Sequence, residues 1–242
     1  MAGLESPFES RRPRLLDLFC GAGGASRGYH DAGFEVVGVD IKPQPHYPYE
    51  FVQMDAIQLL ADEYEDWQNW DAIHASPPCQ RYSDLAKRNG NASEHPDLIG
   101  PVRLLLEATD LPYVIENVEG SPLIDPIKIC GTRLGLGVDG YRLRRHRLFE
   151  SNMTLISTGC LCHGDVRPVI DVSGGGPSKA PRRDGKGGRT YKGTADQARA
   201  AMGIDWMTKK ELNEAIPPVY TRFVGAQLLA HLSQRALVKD AA

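Results

Sequence analysis

Asp17-Leu18-Phe19-Cys20-Gly21-Ala22-Gly23-Gly24 decides how this chain is read. The apolar run Leu15–Phe19 has strand character, and Ala25–Ala32 suits a helix. Glycine at 21, 23 and 24 lets the backbone turn tightly between them and lets a ligand approach the main chain closely. Many nucleotide-binding folds share such a turn. This one is not Gly-x-Gly-x-x-Gly followed by a basic phosphate clamp.

Working outward, Glu35–Asp40, Phe51–Asp55, Asp71–Ser76 and Tyr113–Asn117 are short apolar runs beside turn signals, and they read as further strands. Ala56–Trp67 and Asp97–Thr109 fit helices between them. Strands alternating with helices define an α/β fold with a parallel sheet. Asp40 and Asp55 end the second and third strands on the same side as the glycine turn. Open α/β sheets bind ligands at that edge, and a carboxylate there can accept hydrogen bonds from ribose. Either carboxylate can equally start a turn or cap a helix. Near the C-terminus, Tyr220, Phe223, Val224, Leu228 and Leu232 have the spacing of an amphipathic helix packed on the sheet. The chain has no internal repeat.

Hydrophobic residues make up 41% of the 242, enough for a sizeable core. No run approaches the ~18–20 apolar residues of a membrane span. Met-Ala-Gly-Leu-Glu-Ser at the start lacks the apolar centre of a signal peptide. These features predict a cytoplasmic protein with no membrane partner. The net charge of −3 does not advertise a polyanion partner. The charge is uneven, however: residues 142–147 read Arg-Leu-Arg-Arg-His-Arg, and residues 179–192 hold six Lys/Arg against one Asp. Such patches can meet phosphates while the whole stays mildly acidic. Residues 173–193, rich in Gly, Pro, Lys and Arg, are expected to be flexible.

Ser76-Pro77-Pro78-Cys79-Gln80 follows an apolar strand. Two prolines stiffen the arm and fix the direction of the next side chain, which suits a nucleophile. Glu116-Asn117 ends a neighbouring strand, and Arg145-His146-Arg147 offers forked donors from a third segment. Cys20, inside the glycine turn, reads as structural.

These four stretches resemble the cytosine-carbon-5 DNA methyltransferases. The family's Asp-x-Phe-x-Gly-x-Gly-Gly block is similar to residues 17–24, and its Pro-Cys-Gln block to residues 78–80. Its Glu-Asn-Val block is similar to 116–118, and its Gln-x-Arg-x-Arg block to 143–147 except at the first position. The resemblance covers roughly residues 14–150 and a piece near 203–232. It implies a Rossmann-like S-adenosylmethionine-dependent methyltransferase fold. The catalytic domain would span 1–150 and 203–242, with a short target-recognition region at 151–202.

The resemblance also implies the chemistry. Cys79 attacks carbon 6 of a cytosine flipped out of duplex DNA, and carbon 5 then takes the methyl group. Glu116 holds the base edge and supplies a proton to nitrogen 3. Arg145 and Arg147 steady the base oxygen and the closed loop. For the cofactor, Phe19 would stack on adenine, Asp40 bind ribose and Asp55 contact the adenine amino group. Gly21, Gly23 and Gly24 would line the methionine end. Ile41, Ala56, Pro78, Glu214, Ala215 and Ile216 complete that set, and S-adenosylhomocysteine leaves as product. DNA contacts are expected from Gln80, Ser83, Lys87, Arg88, Arg182, Arg183, Lys186 and Arg189. A monomer is expected, in a bacterial or phage-infected host cell, and a compact layout of this kind suits a phage or prophage origin.

Two departures stand out. Leu143 occupies the family's Gln position, which puts one loop-ordering hydrogen bond in doubt. Glu214 replaces an Asn near the reactive end of the cofactor, and it either alters that pocket or turns outward. With about 50 residues between Arg147 and Met202, the reader is small, and the expected target is roughly two to four base pairs.

Cys160-Leu161-Cys162-His163 has metal-ligand spacing, and Cys130 is the remaining cysteine able to join it. No second Cys pair or His pair accompanies it, so no metal is assigned. Three other readings compete. An amino-group methyltransferase would carry Tyr, Phe or Trp where Cys79 stands. An RNA (transfer RNA) cytosine methyltransferase would use the same blocks. A non-catalytic DNA-binding protein would not be trapped by 5-fluorocytosine DNA.

Overall fold

The computed structural model describes residues 11–62, 66–78, 97–173 and 190–240. Cys79, Gln80, Ser83, Lys87, Arg88, Arg182, Arg183, Lys186 and Arg189 lie outside them, as does most of the 173–193 segment.

The glycine turn joins β1 (Arg14–Leu18) to α1 (Gly24–Ala32). The chain continues through β2 (Glu35–Asp40), β3 (Glu50–Gln53), α2 (Ala56–Leu60), β4 (Ala72–Ala75), α3 (Ile99–Ala108) and β5 (Tyr113–Asn117). With β6 (Ile127–Ile129) and β9 (Arg147–Ser151) these strands form one sheet, in the order β3-β2-β1-β4-β5-β9-β6. β3 through β5 run parallel, and β9 lies antiparallel to both β5 and β6. The order reverses between β1 and β4, which opens a crevice at the strand ends there. The expected parallel α/β sheet is therefore present.

Burial on both faces explains the near-continuous apolar runs. On β1, Leu15 packs with Tyr29, Phe34, Val224 and Leu228 on one side. Leu16 and Leu18 pack with Leu60, Val102 and Leu106 on the other. The expected C-terminal helix is α6 (Pro218–Asp240), starting at a proline, which suits a first helical position. Tyr220, Val224, Leu228 and Leu232 are buried, and Phe223 packs partly exposed against the same core. Gly28 allows the close approach of α6 to α1. A Cβ there would lie 2.0 Å from the Pro218 carbonyl oxygen and 2.1 Å from Thr221 Oγ1.

The single helix expected over 56–67 is shorter. α2 ends at Leu60, and a separate 3-10 turn spans Trp67–Asn69. The Asp66 side chain accepts from Gln68 N at 3.1 Å, so a new cap restarts the chain there.

A second sheet, β11-β10-β8-β7, combines β7 (Gly137–Val138), β8 (Tyr141–Arg142), β10 (Val169–Ile170) and β11 (Thr190–Tyr191). Asp139 and Gly140, with φ of 50° and 79°, make the tight β7–β8 turn. Half of this sheet thus precedes residue 150. Its core is Leu143, Ile170 and Val172 against Met202 of α4 (Ala195–Met202) and Leu212 of α5 (Lys209–Glu214). Among the described residues no helix is long and apolar enough to cross a membrane.

Candidate active site

The glycine turn is built by left-handed backbone. Phe19, Gly21 and Gly23 have φ of 58°, 49° and 83°. A Cβ on Gly23 would meet Pro48 Cδ at 2.8 Å and the Tyr47 ring at 3.0 Å. Among the described residues nothing lies within 4 Å of one built on Gly21, so the turn is open to them there. Asp40 ties this turn to its own loop: Gly21 N donates to Oδ2 at 3.1 Å and Lys42 N to Oδ1 at 2.9 Å. Asp55 caps α2, accepting from Ile57 N at 2.8 Å and Gln58 N at 3.4 Å through Oδ1. Ile41 is 61% exposed beside Asp40, whereas Ala56 is buried.

Asp17 has a role that the motif alone did not assign. It is fully buried; Ser26 Oγ donates to its Oδ2, and Tyr47 OH donates to Ser26 Oγ at 2.9 Å. Desolvation pushes its carboxyl up to about 7, opposed by the Ser26 hydrogen bond. Among the described residues Oδ1 has no hydrogen-bond partner. Cys20 is also buried, and its thiol is raised by that burial.

The C-terminal block closes on the same turn. A Cβ on Gly24 would lie 2.5 Å from the Ile216 carbonyl oxygen and 3.3 Å from Ala215 Cβ. Trp206 Nε1 donates to the Ala22 carbonyl at 2.8 Å, a latch that no sequence pattern announced. Glu214, the last residue of α5, is exposed. Of its two expected alternatives, this placement agrees with the outward one.

At the other end of the crevice, β4 runs into Ser76, Pro77 and exposed Pro78, the last described residue before Cys79. Asn117 Nδ2 donates to the Pro77 carbonyl at 2.9 Å and so braces this arm. Glu116 is buried beside it. The antiparallel register sets Glu116 opposite Phe149, so Arg147 falls on the same face two residues away. Arg147 Nε stands 2.9 Å from Glu116 Oε1, an ion pair rather than an aligned hydrogen bond. Burial raises the Glu116 carboxyl; Arg147, the Ser76 hydroxyl and Arg145 oppose that rise.

Behind Glu116 runs a buried polar chain. Tyr29 OH lies 3.0 Å from His74 Nδ1, and His74 Nε2 lies 2.8 Å from Ser76 Oγ. Desolvation lowers His74 to about 3, so its ring is neutral. If Tyr29 donates to Nδ1, Nε2–H donates to Ser76, and the hydroxyl proton is free for Glu116.

Arg145 is placed differently from Arg147. Its guanidinium donates to the carbonyls of Val172, Asn213 (2.8 Å) and Ala215 (2.6 Å), and its own carbonyl accepts from Tyr220 OH at 2.6 Å. It joins the second sheet to the C-terminal block. Leu143 points into the second core at 2% exposure, the environment of an apolar residue rather than of the family's Gln.

The sequence assigned no metal ligands, and the fold brings a thiol–imidazole cluster together that its spacing did not show. Cys130, His146, Cys160 and Cys162 converge, and His163 is not among them. Sequence spacing missed His146 because it lies 14 residues before Cys160 and is brought in by β9.

A reversed parallel sheet with an open glycine turn and carboxylates at its strand ends defines a Rossmann-like enzyme fold. Residues 13–122 match the family described as C-5 cytosine-specific DNA methylase, the family the sequence resembles. Among curated relatives, the type II methyltransferase M.XorII of Xanthomonas oryzae pv. oryzae is 32% identical over 122 residues, covering 45% of this chain and 29% of that one. M.HgiGI of Herpetosiphon aurantiacus is 27% identical, covering 46% of this chain and 94% of that one. M.AquIA of Picosynechococcus is 30% identical, covering 44% and 49%. The matched segment thus spans less than half the length of M.XorII and M.AquIA. In fold, the chain is similar to the S. pombe Dnmt2 methyltransferase (TM-score 0.53, 15% identity, 91% of this chain and 99% of that). It is also similar to a prophage-encoded E. coli protein described as a candidate DNA modification methyltransferase (TM-score 0.55, 17% identity, 91% and 99%).

Proposed function

We propose that this chain transfers a methyl group from S-adenosylmethionine to carbon 5 of a flipped cytosine in DNA, with Cys79 as nucleophile. The observation that carries the reading is Glu116: a buried carboxyl, raised by burial and paired with Arg147, beside the proline arm that leads to Cys79.

The residues at the glycine turn fit the donor. Among the described residues Gly21 leaves open space over the main chain, Asp17 Oδ1 is a buried acceptor without a partner, and Asp40 and exposed Ile41 stand at the next strand end. When bound there, the donor supplies an electrophilic methyl group. Phe19, Gly23, Gly24, Asp55, Ala56, Pro78, Ala215 and Ile216 complete the proposed cofactor set, with exposed Glu214 left outside it.

Cytosine carbon 5 is a weak nucleophile. Addition of the Cys79 thiolate at carbon 6 makes carbon 5 enamine-like, and a proton from Glu116 to nitrogen 3 offsets the charge that develops. The raised carboxyl suits a proton donor. Arg147 supplies a charge-assisted donor at the base, whereas Arg145 acts as a positioning residue through the carbonyls it holds. After methyl transfer a base removes the carbon-5 proton, and elimination frees Cys79. Lys87, Arg88, Arg182, Arg183, Lys186 and Arg189 are the proposed phosphate contacts, with Gln80 and Ser83 near the flipped base. The region 151–202 is the proposed reader of a short target.

The test is sequencing of 5-methylcytosine in DNA from cells expressing the chain or its Cys79→Ser variant. New methylation at one short motif, absent with Cys79→Ser, is expected. A chain that binds the donor but leaves DNA unmodified overturns the proposal, and methylation of transfer RNA alone reassigns the substrate.

A further inference from the structure

We propose that Cys130, His146, Cys160 and Cys162 form a structural Zn2+ site. Among the described residues they are the one group of three or more His, Cys, Asp or Glu side chains close enough to share a metal ion, and all their ligand atoms lie within 4.8 Å of one another. Cys130 Sγ is 3.3 Å from Cys162 Sγ, and His146 Nε2 is 3.4 Å from both Cys160 Sγ and Cys162 Sγ. Zn–S bonds of ~2.3 Å and Zn–N bonds of ~2.0 Å place tetrahedral ligand atoms roughly 3.6–3.8 Å apart. Small side-chain shifts therefore complete the tetrahedron.

The surroundings are those of a metal site. His146 Nδ1 bonds Glu119 Oε2 at 2.8 Å, and Glu119 Oε1 is held by Lys128 Nζ at 2.6 Å. A carboxylate on one ring nitrogen fixes the tautomer and leaves the other nitrogen as a ligand. Cys162 N–H donates to Cys160 Sγ at 3.3 Å, and Thr132 Oγ1 lies 3.0 Å from Cys130 Sγ. Both contacts stabilise thiolate charge. Without metal, the Cys130 thiol donates to the Arg144 carbonyl at 3.2 Å, and metal binding displaces that proton. A disulfide would use two sulfurs and give the third cysteine and the oriented imidazole no purpose. Three thiolates and an imidazole select Zn2+ over hard cations, and four protein ligands mark a structural rather than a catalytic ion.

The site ties three segments together: Cys130 just after β6, His146 at the start of β9, and the 160–162 loop. His146 sits between Arg145 and Arg147, so the ion fixes the turn that aims Arg147 at Glu116. That consequence rests on the function proposed above; the metal itself does not.

Elemental analysis of the full chain, purified under reducing conditions without chelator, is expected to give one zinc per chain. Co2+ exchanged into it should show the visible absorption of tetrahedral thiolate–imidazole coordination. Exposed Cys160→Ser and His146→Ala should lose the metal, whereas His163→Ala and Cys20→Ser keep it. Chelator should lower Tm by roughly 5–10 °C, restored by Zn2+ and not by Mg2+. Metal below about a tenth per chain with no Co2+ spectrum, full metal in Cys160→Ser, or a Cys130–Cys162 disulfide in the fresh protein overturns the proposal. These readouts do not depend on methyl transfer, so failure here leaves the enzymatic reading intact, and the reverse.

Discussion

The two sheets of this molecule are held together by different means. In the larger one, β1, β2, β4 and β5 are four to six residues long and almost wholly buried. In the smaller one every strand has two residues. There, side chains bonded to backbone carry the architecture: Arg142 donates to the carbonyls of Arg167 (2.9 Å) and Cys162 (3.0 Å), and Arg145 donates to three more. Hydrophobic burial needs length and pattern. Charged donors on carbonyls need neither, so they can supplement the small core of Leu143, Ile170 and Met202 where strands are too short to show a pattern.

Glu116 and Arg147 pair across neighbouring strands of the large sheet, and Arg147 stands two residues after Arg145, whose guanidinium holds the Val172 carbonyl beside the small one. Glu116→Gln keeps the shape and removes the transferable proton. Methyl transfer should fall by ~10²–10⁴-fold while donor binding by calorimetry is unchanged. In the parent, the Glu116-dependent part of turnover should be lost as pH rises through its raised pKa. A fall under tenfold would make Glu116 a structural partner of Arg147 within the large sheet rather than a proton donor.

The same contrast governs what the sequence revealed. β2 and β5 were legible to the residue, and α6 from its four buried positions, because their side chains face a core and follow its period. The glycine turn, Glu116 and Arg147 were legible as motifs, since their chemistry restricts residue type, but the pairing of Arg147 with Glu116 was not. The second sheet was not, although Val138-Asp139-Gly140-Tyr141 carries an Asp-Gly hairpin signal. His146 as a ligand, Trp206 as a latch and Arg145 as a clamp were invisible too. Each depends on a partner brought close only by the tertiary fold, as Trp206 meets Ala22 from 184 residues away.

Buried charge should separate the sheets by pH. Asp17 in the large sheet has its carboxyl raised to about 7 from 3.8. A raised folded-state pKa contributes stability that is full below the unfolded value and lost as pH rises through the folded one. Asp17→Asn removes that titration. The stability of the parent relative to the variant should therefore fall by roughly 3 kcal/mol between pH 5 and pH 8 in urea unfolding. His74, lowered to about 3, works in the opposite sense but is common to both chains and cancels. Asp165, beside the small sheet and held down to about 2 by Arg167, titrates below this window, and Asp165→Asn should leave the profile unchanged there. A flat difference for Asp17→Asn would mean that water reaches the centre of the large sheet.

The smallest effect tests how much the apolar core of the small region contributes beside its clamps. Leu143 stands where the related family has Gln, yet it is buried against Ile170, Met202 and Leu212. If that core matters, Leu143→Gln loses apolar burial and places an amide among groups that offer it no partner. The cost should be about 2 kcal/mol, a fall in Tm of roughly 4–8 °C for a chain of this size. Leu143→Met keeps the volume and should cost under about 1.5 kcal/mol. If both variants match the parent, the clamps of Arg142 and Arg145 alone order the region. If Leu143→Gln is instead the more stable, the amide has found the loop bond that Gln makes in the family, and the leucine is a local substitution rather than a sign of a separate core.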